Sequence, residues 1–442
     1  MQLGVASVLF AAGCVLAASP QPRSITYPDL HPGLREILEK RGVAEAQFPA
    51  LIQSIDRETS ERLRDGEADH LIFYVLQSTR FTRRPRIEPS LSAREFVQSL
   101  TPAERVRYLE GSTVSDPGRR VPAVVRERIQ DFLRALGQTQ SDERMGWFRH
   151  SLSASHRTAD YLCAEYARAM RFLYRKEFAG GPEGTLYQSR GHSSDTRIES
   201  SFAVATALAV LKTLEPGLRI ERVLIAGPGL DFAPRTDLVD AYAPQSYQPY
   251  AVADALLALG LAERDRLRID CADINDRVID FFNEFPKRRE RRLVLLRAWD
   301  DPEYIDYFRS LGRQIGTDSP IAGGKSLVLS KEIANAIVAG RLNVITERYD
   351  PPPEYDLVVA TNVLVYFNDV ELALALSNIY SMLGAGGYLI HNEPRPQLEQ
   401  FSAAVGFPPL QARTLRLSNG AQGALFDTFA IHRKQPAHHR KQ

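Results

Sequence analysis

Two glycines that follow a short apolar run are the first residues whose type and spacing suggest chemistry. The run 220–225 is typical of a strand buried on both faces, and the turn Gly227-Pro228-Gly229 follows it. Because glycine has no Cβ, the backbone there can adopt positive φ and approach a ligand closely. A strand that ends in such a turn can hold the sugar or phosphate part of a nucleotide. Gly227 and Gly229 are therefore candidate cofactor-binding residues.

An acid after the next predicted strand extends this pattern. The run 267–272 is predicted as a strand, and the carboxylate of Asp273 after it could accept hydrogen bonds from two ribose hydroxyls. Gly229 and Asp273 are 273 − 229 = 44 residues apart, against about 20 in the compact dinucleotide fingerprint. A loop over 235–247 and a helix over 249–261 account for the difference. The alternative role for Asp273 is to cap the helix that follows it.

Composition and charge narrow the class of protein. The chain has 442 residues, 44% hydrophobic and 25% charged, as expected for a globular protein of about two domains. Fifty-five Lys and Arg against fifty-four Asp and Glu leave a net charge of +1, so the balance indicates no nucleic acid as a partner. The three cysteines (Cys14, Cys163 and Cys271) have neither metal-ligand nor disulfide spacing. No metal site is predicted.

The N-terminal stretch has the character of a targeting segment. Residues 1–18 carry no charge, and Leu16-Ala17-Ala18-Ser19 resembles a small-residue cleavage region. Residues 1–24 are therefore predicted to be a signal-like or membrane-anchor segment, with membrane association through residues 1–18. If the segment is retained, the body is expected in the cytoplasm, because Arg23 and Arg35 follow it. Cleavage near Ala18 would instead give an exported protein.

Residues 25–215 are predicted to form a helical domain. Apolar residues recur there at helical spacing, as over 124–133, and proline-containing breaks separate the periodic segments. The small, polar loop 189–196 leads into a helix predicted over 196–214, for which Asp195 is a candidate N-cap. Arg190 in this loop is a candidate substrate-binding residue, although a plain helix-linking turn explains the loop equally well.

After Asp273, predicted strands and helices alternate. Strands are predicted over 342–346 and 355–360, with a proline-rich connector between them. The run 360–367 follows, then a helix with Asn368 and Glu371 in a capping box, a glycine stop at 384–387 and a strand over 388–391. The runs 413–417 and 424–432 predict a closing hairpin. The predicted fold class is therefore α/β, a Rossmann-like mostly parallel sheet with a C-terminal antiparallel hairpin, preceded by a mostly helical N-terminal domain.

These motifs together resemble a class I S-adenosylmethionine-dependent methyltransferase domain. The predicted domain covers 216–434, and 435–442 is predicted to be a basic disordered tail. The run 361–367 most resembles that of the chemotaxis-receptor glutamate methyltransferases, which have Arg at the position of Thr361. The resemblance implies S-adenosylmethionine as the cofactor and an unidentified methyl acceptor, either a small molecule or a protein.

The resemblance also implies roles for particular residues. Gly227 and Gly229 would pass against the methionine and ribose portion of the cofactor, and Asp273 would hold the ribose hydroxyls. Predicted besides these are cofactor contacts at Asp231, Asn362 and Val363, catalytic roles for Tyr366, His391 and Glu393, and acceptor contacts at Arg190, Tyr247 and Tyr250.

The implied reaction is in-line attack of an acceptor atom on the sulfonium methyl group. Its leaving group is already activated, so proximity and alignment supply most of the catalysis. Two other classes fit parts of the pattern. One is a nicotinamide-dependent oxidoreductase, although a terminal hairpin is not typical of dinucleotide dehydrogenases. The other is a non-catalytic binding or scaffold protein that keeps the fold.

Overall fold

A computed structural model describes residues 21–66, 68–138, 143–180, 183–196, 199–233, 238–297, 299–393, 395–420 and 424–435. Its strands are β1 (Gln21–Ser24), β2 (Arg222–Ala226), β3 (Arg268–Asp273), β4 (Arg292–Leu296), β5 (Gly316–Ile321), β6 (Gly324–Leu329), β7 (Ile337–Arg341), β8 (Glu347–Asp350), β9 (Tyr355–Ala360), β10 (Leu383–His391), β11 (Pro409–Ser418) and β12 (Leu425–Arg433). The predicted segment 1–18 and most of the predicted tail lie outside the described residues.

Helices make up most of the N-terminal half and alternate with strands later. They are α1 (Pro32–Lys40), α2 (Phe48–Gly66), α3 (Ala68–Gln77), α4 (Pro89–Ser99), α5 (Pro102–Leu109), α6 (Pro117–Arg120), α7 (Ala123–Leu136), α8 (Glu143–Ser151), α9 (Ala159–Tyr174), α10 (Glu183–Gln188), α11 (Glu199–Leu214), α12 (Gln248–Ala258), α13 (Asp276–Glu284), α14 (Pro302–Ser310), α15 (Lys331–Asn335), α16 (Asp369–Met382) and α17 (Pro396–Ala404). A 3₁₀ turn, Leu364–Tyr366, follows β9.

A seven-stranded sheet organises the C-terminal half. Its order is β11-β12-β10-β9-β2-β3-β7, with β10, β9, β2, β3 and β7 parallel and β12 antiparallel to both of its neighbours. Numbered in chain order, the five parallel strands are arranged 3-2-1-4-5, the order of a doubly wound sheet whose ligands bind where the order reverses, here between β2 and β9. The predicted Rossmann-like sheet and closing hairpin are confirmed.

Side chains alternate between the two faces of this sheet and reach two separate cores. On β9, Leu357 and Val359 pack against α11, α12, α13 and α14, whereas Val358 and Ala360 pack against α1, α2, α16 and α17. Strands buried on both faces explain why their sequences are almost continuously apolar. The capping box that the sequence predicted, between Asn368 and Glu371, opens α16.

The predicted helical region contributes to three different cores. Residues of 71–173 form a helical core largely of their own, joined by Val239. Residues 25–55, by contrast, share one face of the sheet with α16 and α17, and α11 covers the other face. β1 also pairs with β8, a partner more than 300 residues away in sequence. The sheet is thus covered by segments from both ends of the predicted helical domain.

One local prediction is wrong, and another stays open. The segment 342–346 is a turn rather than a strand, because the Asn343 carbonyl accepts from Thr346 N at 3.0 Å and its side chain accepts from Ile345 N at 3.2 Å. The third parallel strand is β7, just before this turn, and the antiparallel sheet β4-β6-β5 contains two strands that were not predicted. Asp195 forms a bridge with Leu230, and its role as the N-cap of α11 stays a prediction, because residues 197–198 before Glu199 lie outside the described ones.

Within the described ranges, no helix is both long enough and apolar enough to span a membrane. In the same residues, no three His, Cys, Asp or Glu side chains are grouped as metal ligands would be.

Candidate active site

A cleft lies at the carboxyl ends of β2, β3 and β9, beside the point where the strand order reverses. It encloses about 790 Å³ of empty space, part of it open to solvent. Among the residues that line it are six that the sequence analysis named: Gly227, Gly229, Asp273, Asn362, Val363 and Tyr366. Loop 192–196, the turn 342–345 and two residues of α2 also line it.

The two glycines let neighbouring segments approach the turn after β2. Both have φ of +63°, where side chains are strained. A Cβ on Gly227 would collide with Val363 Cγ2, and a Cβ on Gly229 would lie 2.7 Å from the Ser194 carbonyl oxygen. Leu230 N donates to that same carbonyl at 2.6 Å. The glycines thus bring the turn against the β9 loop on one side and loop 192–196 on the other.

Asp273 ends β3 with a buried carboxyl group. Burial raises its pKa to about 6, while hydrogen bonds from the backbone N–H groups of Asn275, Gly229 and Ile274 act in the opposite direction. The Asn275 N–H lies 2.8 Å from Oδ1. Asp273 therefore ties the glycine turn to β3, and its two oxygens keep acceptor capacity for a ligand's hydroxyl groups. The helix-cap alternative is not what the structure shows, because Asn275 caps α13.

Asn362 lies directly after β9 in the left-handed region, with φ of +59°. Its backbone N–H donates to Asn392 Oδ1 at 2.8 Å, and Asn392 Nδ2 donates to Asn362 Oδ1 at 2.9 Å. Asn392 follows β10, so this pair joins the ends of two adjacent parallel strands. Strained residues of this kind persist where the surroundings fix them, often at functional sites.

Helix α2 forms one wall of the cleft, and Arg62 connects that wall to two loops. Its Nε donates to the Arg190 carbonyl at 3.0 Å, and its Nη2 donates to the carbonyls of Tyr366 at 2.9 Å and Tyr187 at 3.4 Å. The Arg62 carbonyl accepts from His192 N at 2.7 Å. Burial lowers the pKa of His192 to about 3, so this cleft-lining imidazole is neutral at physiological pH.

The polar groups of the cleft suit a ligand that carries both hydroxyl and amino-acid groups. The hydroxyls of Thr59 and Ser194 are buried, line the cleft and have no hydrogen-bond partner among the described residues. Buried polar groups are normally satisfied, so these two indicate a polar ligand or water. Ile274, Leu342 and Val344 also line the cleft and offer an apolar surface for a flat ring. These residues fit an adenosine-containing cofactor.

Two predicted polar contacts lie outside the cleft lining. Asp231 accepts from Ala233 N at 3.0 Å and from the Tyr242 hydroxyl at 2.7 Å, so it stabilises the loop that follows the glycine turn. The guanidinium of Arg190 stacks over the Phe172 ring, 3.9 Å from its centroid.

Four more predicted residues are buried away from the cleft. Tyr247 and Tyr250 belong to the core between the sheet and α12. His391 packs beside the His432 ring, with centroids 4.9 Å apart, and burial holds its pKa well below the usual value. Glu393 pairs with Arg395 at 3.1 Å. Of the three predicted catalytic residues, Tyr366 is the one that lines the cleft.

Several cleft residues had not been predicted. Thr59 and Leu63 belong to an amphipathic helix far away in sequence, and nothing local marks them as site residues. Asn392 does not line the cleft, but it holds Asn362, and this partner could have been found because it follows β10 at the same edge of the sheet.

The chain was compared with known families, curated proteins and solved structures. No protein-family model matches the chain, and no curated protein does. Among solved structures it is similar to the N-methyltransferase NodS from Bradyrhizobium japonicum WM9 in complex with S-adenosyl-L-homocysteine, at 12% identity over 53% of this chain and 88% of that one, with a TM-score of 0.27. It is also similar to the Burkholderia thailandensis 1,6-didemethyltoxoflavin-N1-methyltransferase, at 14% identity over 54% and 80%, with a TM-score of 0.27.

The CurJ carbon methyltransferase matches over more of the chain, at 13% identity over 87% of this chain and 98% of that one, with a TM-score of 0.34. The sheet order and closing hairpin are those of the class I methyltransferase fold that the sequence predicted. With TM-scores of 0.27–0.34, these matches identify no acceptor, and the description of the fold rests on the strand order itself. The resemblance of 361–367 to chemotaxis-receptor methyltransferases is not shown by these comparisons and stays a prediction.

Proposed function

We propose that this chain binds S-adenosylmethionine in the cleft and transfers its methyl group to an acceptor that is still to be identified. The observation that carries the proposal is the convergence of Gly227, Gly229, Asp273 and Asn362 on one cleft from the ends of three adjacent strands. These residues are separated by up to 362 − 227 = 135 positions, and the sheet brings them together where doubly wound folds bind ligands.

S-adenosylmethionine, when bound, supplies a methyl group on a sulfonium that is already activated for displacement. The chain's own residues would bind and align it. Asp273 would accept hydrogen bonds from the hydroxyl groups, and Gly227 and Gly229 would hold the turn after β2 against the β9 loop and loop 192–196 at the edge of the cleft. Asn362, held by Asn392, and Tyr366 line the cleft on the β9 side, where they would orient the acceptor. Alignment of this kind needs no strong base.

Calorimetric titration of the full-length chain with S-adenosylhomocysteine tests the cofactor. We expect binding by the wild type and at least a tenfold loss in Asp273→Ala, because that variant removes the buried carboxylate. Asp280→Ala is the matched control, since Asp280 is an exposed acid on α13. A parallel titration with NAD tests the oxidoreductase alternative.

Each result has a definite meaning. Binding that is lost in Asp273→Ala, retained in Asp280→Ala and not matched by NAD supports the proposal and justifies a screen of methyl acceptors. Preferential binding of NAD favours an oxidoreductase. A well-folded sample that binds neither ligand contradicts the proposal and leaves a scaffold protein with a Rossmann-like fold.

A further inference from the structure

A row of hydrogen-bonded side chains extends from the cleft edge at Asn362 to β12. Asn362 lines the cleft and is exposed, whereas its partner Asn392 is half-buried and lies outside the lining. The Asn392 side chain also hydrogen-bonds to Asp427, near the start of β12. Thr428 holds both partners, because its N–H donates to Asp427 Oδ1 at 2.8 Å and its hydroxyl donates to the Asn392 carbonyl at 3.5 Å. The ends of β9, β10 and β12 are thus joined beside the cleft.

The hydrogen-bond partners determine the orientation of both amides. A backbone N–H can only donate, so the Asn392 atom that lies 2.8 Å from Asn362 N is Oδ1. The Nδ2 of Asn392 is then the atom that donates to Asn362 Oδ1 at 2.9 Å.

Asp427 favours the same orientation of Asn392. Burial raises the pKa of Asp427, while the hydrogen bonds that it accepts from Thr428 N and the Asn392 side chain act in the opposite direction. A carboxylate accepts hydrogen bonds, and Nδ2 is the one donor in the side chain of Asn392. The two hydrogens of Nδ2 therefore serve Asp427 and Asn362.

This arrangement leaves one end of the Asn362 side chain unused. Its Oδ1 accepts from Asn392, and its Nδ2 has no hydrogen-bond partner among the residues that the structure describes. Because Asn362 lines the cleft, a ligand there meets two N–H donors. A carboxylate or carbonyl oxygen can pair with them, whereas an ammonium group would place donor against donor.

We propose that Asp427 and Asn392 are positioning residues that hold the Asn362 amide with its Nδ2 toward the cleft, where it binds a carboxylate or carbonyl oxygen of a ligand. That oxygen belongs either to the carboxylate of S-adenosylmethionine or to the methyl acceptor. The identity of the ligand rests on the proposed function. The orientation of the amide does not, and it can be tested without a ligand.

The first test measures how fast side-chain amide protons exchange with water in the full-length chain. The chain has nine asparagines, so nitrogen-15 labelling of asparagine alone gives nine side-chain amide groups. Asn362→Ala and Asn392→Ala assign the two that the proposal concerns. Asn378, whose Nδ2 donates to two backbone carbonyls at 2.9 and 3.0 Å, is the protected reference, and the exposed Asn283 is the unprotected one.

We expect the Asn362 protons to exchange about as fast as those of Asn283, and the Asn392 protons at least about tenfold more slowly, because hydrogen bonds protect them. The combined variant Asn392→Asp, Asp427→Asn keeps the net charge but moves the carboxylate next to Asn362. A carboxylate there can only accept, so the Asn362 amide should reverse and its protons should become protected.

Two results would overturn the orientation. One is protection of the Asn362 protons in the unsubstituted chain, and the other is unchanged exchange of these protons in a folded combined variant. The measurement on the unsubstituted chain decides the question alone if the combined variant folds poorly.

The second test adds ligands and distinguishes the two sources of the oxygen. S-adenosylhomocysteine carries the carboxylate, and 5′-methylthioadenosine lacks it. Slower exchange of the Asn362 protons with S-adenosylhomocysteine alone assigns the oxygen to the cofactor. If neither slows exchange, benzoate and benzylammonium, each at up to about 10 mM, are added to the complex with S-adenosylhomocysteine. Slower exchange with benzoate alone assigns the oxygen to the acceptor.

The combined variant should reverse the ligand preference. If the oxygen belongs to the cofactor, S-adenosylhomocysteine should bind the variant at least about tenfold more weakly, whereas the affinity for 5′-methylthioadenosine should not change. If it belongs to the acceptor, benzylammonium should replace benzoate. A merely structural role of the pair would weaken the binding of both nucleosides equally.

The remaining outcomes are also decisive. The ligand assignment is overturned if both nucleosides slow exchange equally, if benzylammonium acts like benzoate, or if no probe slows exchange. Calorimetry reports separately on S-adenosylhomocysteine binding. Absence of that binding contradicts the proposed function and the ligand assignment with it, while the exchange rates of the free chain still decide the orientation of the amide.

Discussion

At the scale of single residues, Asp273 is under two opposing influences. Burial disfavours its charged form and raises its pKa to about 6, whereas three backbone N–H groups favour the carboxylate. Its protonation state therefore changes close to physiological pH. A carboxylate accepts hydrogen bonds with both oxygens, but a carboxylic acid must use one of them as a donor. Ligand binding through hydroxyl groups should depend on this change.

We predict that the affinity for S-adenosylhomocysteine rises with pH through the pKa of Asp273. If the ionised form binds, affinity at about pH 5 should be about tenfold lower than at about pH 7, since each pH unit below the pKa costs about 1.4 kcal/mol. His192 does not interfere, because its pKa is about 3. Calorimetry across this range checks the prediction. Asp273→Asn should bind weakly with little pH dependence, and an unchanged profile in that variant would assign the effect to another group.

Two glycine-to-alanine substitutions distinguish the loss of stability caused by a strained backbone from the loss caused by steric contact with a neighbouring segment. Gly229 and Gly260 both have positive φ, near +60°, but a Cβ at Gly229 would lie 2.7 Å from the Ser194 carbonyl oxygen, whereas nothing lies within 4 Å at Gly260. Gly260→Ala should therefore cost only the left-handed strain, about 1–2 kcal/mol. Gly229→Ala should lower the free energy of unfolding by at least about 1 kcal/mol more. Denaturant unfolding measures the loss of stability in both variants. Equal losses of the free energy of unfolding would show that loop 192–196 moves aside at no cost.

The predicted site residues that line the cleft include those whose position follows from local backbone geometry. Gly227, Gly229 and Asp273 end strands, and strand ends can be read from apolar runs. His391 and Glu393 were chosen by the same reasoning, but the intervening residue, Asn392, is the one that meets Asn362. Side chains alternate along a strand, so an error of one residue reverses the direction in which a candidate points.

At the scale of elements, the cleft depends on α2 as much as on the sheet. Arg62 is 12% exposed, and it connects α2 to loop 187–192 and to the turn after β9. It also lies 3.8 Å from the buried carboxylate of Glu371. One guanidinium thus holds together three segments that border the cleft.

Removing this guanidinium should loosen the cleft wall. We predict that Arg62→Ala lowers the free energy of unfolding by about 3 kcal/mol, because it leaves Glu371 buried without its charge partner. Amide exchange over 187–192 and 364–367 should become faster, as hydrogen exchange with mass spectrometry would show. Arg62→Lys should restore the charge but only part of the exchange protection, since an ammonium lacks the planar fork.

Arg57→Ala is the control for that comparison. Arg57 lies on the same helix but is exposed, and its side chain donates to Ser54 Oγ at 3.4 Å. The role of Arg62 would be contradicted if amide exchange over 187–192 were equally fast in Arg57→Ala and Arg62→Ala.

Element prediction succeeded where the signal is local and failed where it is not. The capping box at Asn368 fixes the start of α16, and apolar runs fix β2, β3 and β9. The error at 342–346 has a different origin. Leu342, Val344 and Ile345 are apolar because they line the cleft and pack beneath α2, not because they pair in the sheet. Residues of α2 could not be placed, since helical periodicity does not specify the partner of the apolar face.

At the scale of the whole molecule, the predicted domain boundary at residue 215 does not separate the residues that pack together in the buried cores. Residues 25–55 and α11 cover the two faces of the sheet, whereas 71–173 pack mainly on one another. By contacts, the helical core is an insertion between pieces of the sheet domain. Composition and length predicted two units, but the pairing of β1 with β8 could not be predicted from so short a strand.

Two fragments test this arrangement. We predict that 216–434 lacks a cooperative thermal transition, because it would expose the apolar faces that α1, α2 and α11 cover. The fragment 68–180 should keep its helical circular dichroism and unfold cooperatively. The full-length chain is the reference for both fragments. If the fragment 216–434 folds cooperatively, the assignment of residues 25–55 to the sheet domain is contradicted.

The distant partner of β1 also bears on how the chain folds during synthesis. Gln21 pairs with Asp350, so the first described strand must wait for 350 − 21 = 329 further residues to leave the ribosome. The helical core needs little beyond residue 173, so it can fold before the sheet is complete. The helical core of the nascent protein is therefore expected to fold while the first strand is still unpaired and the sheet is incomplete. The cleft can form only when the N-terminal segments pack against the completed sheet.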